Sequence, residues 1–171
     1  DAERWKPALE NYQRVLAIRP DHGGALLGAG EAYAKLNDPP AAEKLLRRAM
    51  ASDAKNADAA NQLGLLLAKQ DRAAEAKQWF ERAISIDPAH TGAINNLAVL
   101  FTQLGQTNDA IAAFRYGIER APDDEKLYLN LGRLYVSIGE RQKARDVMQR
   151  LLGRKPGDPV ALRALRDLDS R

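Results

Sequence analysis

The chain has 171 residues, 45% of them hydrophobic, and a formal net charge of +3. That composition suits a folded globular chain, and the charge is too small to imply a polyanionic partner by itself. There is no cysteine, which excludes disulfides and thiolate metal sites. No apolar run approaches the ~18 residues of a membrane helix.

No cationic start followed by an apolar core marks a signal peptide. The chain begins at Asp1 rather than Met, so further sequence upstream is expected. The Ala/Arg-rich composition hints at a soluble bacterial protein, and the compartment, cytoplasm or periplasm, stays open. A proline ruler organises the whole chain: Pro88, Pro122 and Pro156 are each 34 residues apart, Pro20 lies two such steps before Pro88, and Ala54 stands on the step between them. A constant period in this range marks a stacked repeat, which is counted in units rather than as one core.

In chain order, residues 1–22 read as the second helix of a repeat whose first helix is missing. The helix is expected over Glu3–Ile18, with Ala8, Tyr12 and Val15 on one face and Pro20 beyond it. Trp5 and Tyr12 would then stand uncovered. An uncovered apolar face tends to find an equivalent one, so a homodimer through the Trp5 and Tyr12 helix is expected.

Four complete units follow, over residues 23–56, 57–90, 91–124 and 125–158. Each opens on a helix carrying a small residue and, three places on, a large one: Gly30 with Tyr33, Gly64 with Leu67, Ala98 with Phe101, Gly132 with Tyr135. The small residue admits a second helix closely, and the large one fills the adjoining space. The second helix carries Ala42, Leu46 and Ala49, then Ala76, Phe80 and Ala83, then Ala110, Phe114 and Gly117, then Ala144, Met148 and Leu151. That spacing of four and three puts each set on one face. Turn signals separate the two helices: Asn37-Asp38-Pro39-Pro40, Asp71, Gly105 and Gly139. Asp38 is placed to cap a helix that begins at Pro39. The last segment, residues 159–171, carries Leu162, Leu165 and Leu168 among Arg and Asp. It reads as a C-terminal capping helix, or as the first helix of a further unit. Arg141 to Arg171 holds nine Lys or Arg against four Asp, a solvated cationic face that is also the one place where nucleic acid would bind.

The sequence of large residue, Leu-Gly and Tyr, then Ala-Phe-Ala, then Pro resembles the tetratricopeptide repeat family over essentially the whole chain. Residues 57–90 match it best, with Leu63, Gly64, Ala76, Phe80, Ala83 and Pro88 at family positions. Residues 23–56 match least, because Ala54 replaces the proline and Leu46 the aromatic. The resemblance implies an all-α fold, a right-handed solenoid of antiparallel helix pairs, whose first helices line a concave groove. It implies a non-enzymatic protein–protein interaction scaffold that holds an extended peptide or protein partner in that groove. The alternatives are a regulatory repeat region of a larger enzyme and, less favoured, a nucleic-acid binder using the basic end.

The residues themselves offer no catalytic constellation, and no cofactor is implied. His22 and His90 occupy equivalent turns two units apart, roughly 20 Å at the usual helix spacing, too far to share a metal. Asp123-Asp124-Glu125 sits at a helix start, where capping and the helix dipole account for it. The glycines are isolated and form no phosphate loop. Phe80, Phe101 and Phe114 are core positions rather than an aromatic box, and Trp79 is one place off the core.

The groove positions remain. Gln62, Asn96 and Asn130 share one register line, Asn61 and Asn95 stand one place earlier, and Leu65, Val99 and Arg133 stand three places later. Amides donate and accept together, which matches an extended peptide backbone. Leu65 and Val99 would seat a side chain. Against the family's carboxylate clamp, Asn96 and Lys126 match, whereas Asn61, Leu65 and Asn130 stand where the clamp needs Lys, Asn and a second cation. Capture of a peptide C-terminus by that clamp is not expected.

Overall fold

The structure, a computed structural model, describes residues 2–169. Asp1 and Arg171, the ends of the sequence and of its basic stretch, lie outside the described residues. The described residues are helical almost throughout and form two compact units that divide between His90 and Thr91.

The first unit holds α1 (Ala2–Ile18), α2 (Gly23–Lys35), α3 (Pro39–Ser52), α4 (Ala57–Ala68) and α5 (Ala73–Ile86). Each helix packs on the next, and α2 also lies beside α4. The helix starts follow local chemistry. His22 Nδ1 accepts the Ala25 N–H at 3.1 Å, Asp38 Oδ1 that of Ala41 at 3.1 Å, and Asn56 Oδ1 that of Ala59 at 2.8 Å. Each satisfies a donor that the first helical turn leaves over. Asn37 and Asp71 adopt φ of 62° and 60° in the two hairpin turns, a conformation that Asn and Asp tolerate better than most side chains.

The hairpins close where glycine lets them. A Cβ on Gly30 would meet Leu46 at 2.8 Å, and one on Gly64 would meet the Phe80 ring at 2.7 Å. Around these contacts Leu26, Leu46, Leu63, Leu67 and Phe80 are fully buried. The N-terminal helix differs from the sequence-based expectation. Trp5 and Tyr12 do not stand uncovered: with Leu9 and Leu16 they form a stripe packed against Ala29, Ala32 and Tyr33 of α2 and Leu36 at its end. A Cβ on Gly28 would run into the Tyr12 ring. The apolar side chains that α1 leaves to solvent are elsewhere, with Ile18 83% exposed.

The second unit holds α6 (Thr91–Gln103), α7 (Thr107–Arg120), α8 (Glu125–Ser137), α9 (Arg141–Arg154) and α10 (Pro159–Asp169). Each again packs on its successor, and α6 lies beside α8. Ile94, Phe114, Ile118, Leu127, Tyr128, Met148 and Leu151 are fully buried. The Tyr128 hydroxyl donates to the Pro122 carbonyl at 3.0 Å, so the proline turn is tied to the core. Asp124 caps α8 through the Lys126 N–H at 3.0 Å. Glu125 pairs with Lys155, and Asp123 with Arg154 at 3.4 Å. The acidic run at 123–125 is thus occupied with the helix start and its neighbours. At the far end Asp158, only 7% exposed, accepts the N–H groups of Val160 and Ala161 at 3.0 and 2.8 Å. That cap fixes α10, whose one buried residue is Ala161.

Candidate peptide-binding face

Alternate helices in each unit present the residues singled out in the sequence. In the first unit these are α2 and α4. Gln62 is half-buried on α4 and hydrogen-bonds the Glu31 carboxylate on α2. Burial first, and then the nearby Asp58 carboxylate, push Glu31 above its ordinary value of 4.5; the Gln62 bond and Lys35 pull it back in part. His90 Nε2 lies 3.1 Å from Asp58 Oδ1. Leu65 is half-buried beside them. This face is therefore acidic, with one amide already committed to a carboxylate. Asn61, one place before Gln62, is 9% exposed, more deeply buried than its register equivalent Asn95.

In the second unit the corresponding helices are α6 and α8. Asn95, Asn96, Val99 and Asn130 are half-buried, while Lys126 and Arg133 are exposed. Asn130 Nδ2 donates to Asn95 Oδ1 at 2.7 Å, across from α8 to α6. The two register lines read from the sequence are thus joined: a residue of one line bonds a residue of the other, 35 positions away. The bond leaves Asn95 an amide donor pair and Asn130 a carbonyl to turn outward, so the face still both donates and accepts. Nothing in the sequence announced this pairing, since the repeat aligns positions 34 apart.

Outside these faces one group of charges is paired around Arg72. Arg72 binds Glu75 in two places, at 2.7 and 2.8 Å, and Glu43 at 2.7 Å. Arg47 joins Glu43 at 2.8 Å. The Arg72 hydrogen bonds are the first cause of the lowered Glu43 and Glu75 carboxyls. Trp79 is half-buried under the Arg47 guanidinium, 5.9 Å from ring centre. Among the described residues no cluster of His, Cys, Asp or Glu could hold a metal ion, and no helix is long and apolar enough to cross a membrane.

Helix hairpins repeated at one spacing, with small residues at their crossings and a polar face on alternate helices, define a helical repeat of the protein-interaction class. The chain belongs to the tetratricopeptide repeat family: one family profile matches residues 1–66 and 101–168 and a second matches 57–90, both described as tetratricopeptide repeat. Its fold is the all-α tetratricopeptide solenoid. Such repeats bind protein or peptide partners and are typically non-enzymatic scaffolds. A comparison with curated proteins finds no match. Among solved structures, PilF of Pseudomonas aeruginosa aligns with a TM-score of 0.82 at 21% identity, over 98% of this chain and 77% of that one. MamA aligns with a TM-score of 0.75 at 24% identity, over 88% of each chain. YrrB, described as a tetratricopeptide protein with an unusual peptide-binding site, aligns with a TM-score of 0.69 at 22% identity, over 96% and 84%. At these identities the likeness is one of fold.

Proposed function

We propose that this chain is a scaffold that holds an extended peptide on the amide face of α6 and α8. The observation that carries the reading is the bonded pair Asn95 and Asn130, half-buried beside Val99 and flanked by Asn96, Lys126 and Arg133. Held amides are pre-oriented, so a ligand backbone that bonds them orders fewer groups on binding. Val99 offers a seat for an apolar side chain. Gln62 and Leu65 are the corresponding positions of the first unit. The description of YrrB as peptide-binding supports the class of ligand. The reading divides the chain into the four units 23–56, 57–90, 91–124 and 125–158, with 1–22 as a lone second helix and 159–171 as a cap.

The test is the double variant Asn95→Ala with Asn130→Ala, which removes both partners and leaves neither amide orphaned. Peptides selected from an extended-peptide array should lose affinity for it. Its unfolding midpoint should move little, since a net hydrogen bond contributes only about 0.5–1.5 kcal/mol. Unchanged peptide affinity removes the amides from the mechanism.

Self-association is a smaller part of the proposal. With Trp5 and Tyr12 engaged on α2, a homodimer through α1 would use Ile18 and the half-buried Ala8 and Val15. Sedimentation velocity of the chain and of Ile18→Asp checks it: a monomer in both cases ends the idea.

A further inference from the structure

The end of the second unit holds a cleft that shares only Arg133 with the amide face. It has a volume of about 790 Å³ and lies between α8, α9 and α10. Its floor is apolar, from Met148 of α9, Val136 of α8 and Leu168 of α10. Val136 is 47% exposed there. Three arginines stand on its walls, one from each helix: Arg133, Arg141 and Arg163. Asp167 is the one acidic residue of the lining. Arg141 spends one nitrogen on the Leu168 carbonyl at 3.1 Å, which ties α9 to α10. Among the described residues Arg133 and Arg163 make no ion pair, as against Arg145, which binds Asp169 at 2.6 Å.

We propose that this cleft receives an acidic peptide segment in which an aliphatic side chain is flanked by carboxylates. The volume falls within the roughly 300–1,000 Å³ range of ligand clefts. The aliphatic side chain covers Val136, Met148 and Leu168, removing apolar surface from water. The flanking carboxylates meet Arg133 and Arg163, whose planar forks suit two-point bonds to a carboxylate. A nucleic acid fits the same charge but not the same floor: single strands are held largely by aromatic stacking, and no aromatic side chain lines the cleft. The proposal rests on the reading of the chain as a peptide-binding scaffold, and not on the amide face.

The experiment uses the full chain and labelled synthetic peptides, read by fluorescence anisotropy. One peptide repeats Glu-Leu-Asp-Ser. Its companions replace the acids by amides, or the leucine by serine. An oligothymidylate and anionic phosphatidylglycerol vesicles complete the set. The acid–leucine peptide should bind about tenfold tighter than either companion, because each lacks one of the two matched features. Arg163→Gln lies on α10, outside the amide face, and should weaken that peptide about tenfold. Arg133→Gln should do the same, and binding should weaken as salt is raised. Asn95→Ala with Asn130→Ala should leave it unchanged. Circular dichroism melts of each variant, matching the parent, show that the helices remain. If the three peptides bind alike, or Arg163→Gln has no effect while the amide variant does, the cleft is not the site and the scaffold reading stands alone. If oligothymidylate or the vesicles bind more tightly than the acid–leucine peptide, the assignment to peptide is overturned.

Discussion

The two units share a backbone plan and differ in the chemistry of their open faces. In residues 1–90 there are thirteen basic and thirteen acidic residues, and in 91–171 thirteen basic and ten acidic, so the whole formal charge of +3 belongs to the second unit. On α2 and α4 the face carries Glu31 and Asp58, with Gln62 bonded to Glu31. On α6 and α8 it carries Asn95 bonded to Asn130, between Lys126 and Arg133. The cores do not diverge in this way. Phe80 and Phe114 are equally buried at equivalent places, and Gly64 and Ala98 stand equivalently on the preceding helices. Packing requires a given volume at a given helical position. A solvent-facing position only has to stay hydrated, so it is free to carry whatever a ligand needs. That freedom lets one backbone plan carry an acidic face on α2 and α4 and a face with exposed cations on α6 and α8.

The comparison is sharpened most by removing its common element. Phe80→Ala and Phe114→Ala should each cost about 3–5 kcal/mol, from lost transfer energy and the cavity left behind. Equal losses are expected because each ring is fully buried in its own unit. Urea denaturation measures both. A cost below about 1 kcal/mol at either site would mean that the two cores are not equivalent.

The core was legible in the sequence because it obeys the period. Gly30, Gly64 and Gly132 are where the second helices come closest, facing Leu46, Phe80 and Met148. The caps were legible where the chemistry is local, as with Asp38 three residues before Ala41. The face was legible only in composition. A line of positions 34 apart names which residues share a register, yet the side chains reach diagonally, and Asn130 finds Asn95 rather than a member of its own line. Asn61 and Asn95 share a register, yet Asn61 is buried and Asn95 half-buried, so register alone does not give exposure. Trp5 and Tyr12 are covered by the following helix α2, a contact between neighbouring repeats that the pattern within a single repeat does not show. The cleft at α10 has no repeat signal at all. It exists because Asp158 and Ala161 anchor one end of that helix while Arg133, Arg141 and Arg163 are left to line the space beside it.

The smallest expected effect tests the acidic side of the comparison. Glu31 is held above its ordinary value by burial and by Asp58. Its folded form therefore binds a proton more readily than its unfolded form. Between the unfolded value near 4.5 and the raised folded value, stability contributed by this group falls as pH rises, and above the folded value the ionised carboxylate opposes the fold. Glu43 has the reverse sign: the Arg72 hydrogen bond lowers it, so its contribution is present above the unfolded value and is lost as pH falls through the folded one. Glu31→Gln removes the first effect and keeps an oxygen that can accept the Gln62 bond. At neutral pH the variant should melt slightly higher than the parent, by a gain within the ~1 kcal/mol span of partly exposed charge effects. The gap should close as pH falls below 4.5, where the parent carboxyl becomes protonated in both states. Melts of the two chains across that range decide it. A variant less stable at neutral pH, or a gap that widens on acidification, would show that Glu31 is stabilised as an anion and that the first unit's face is not acidic in the sense argued.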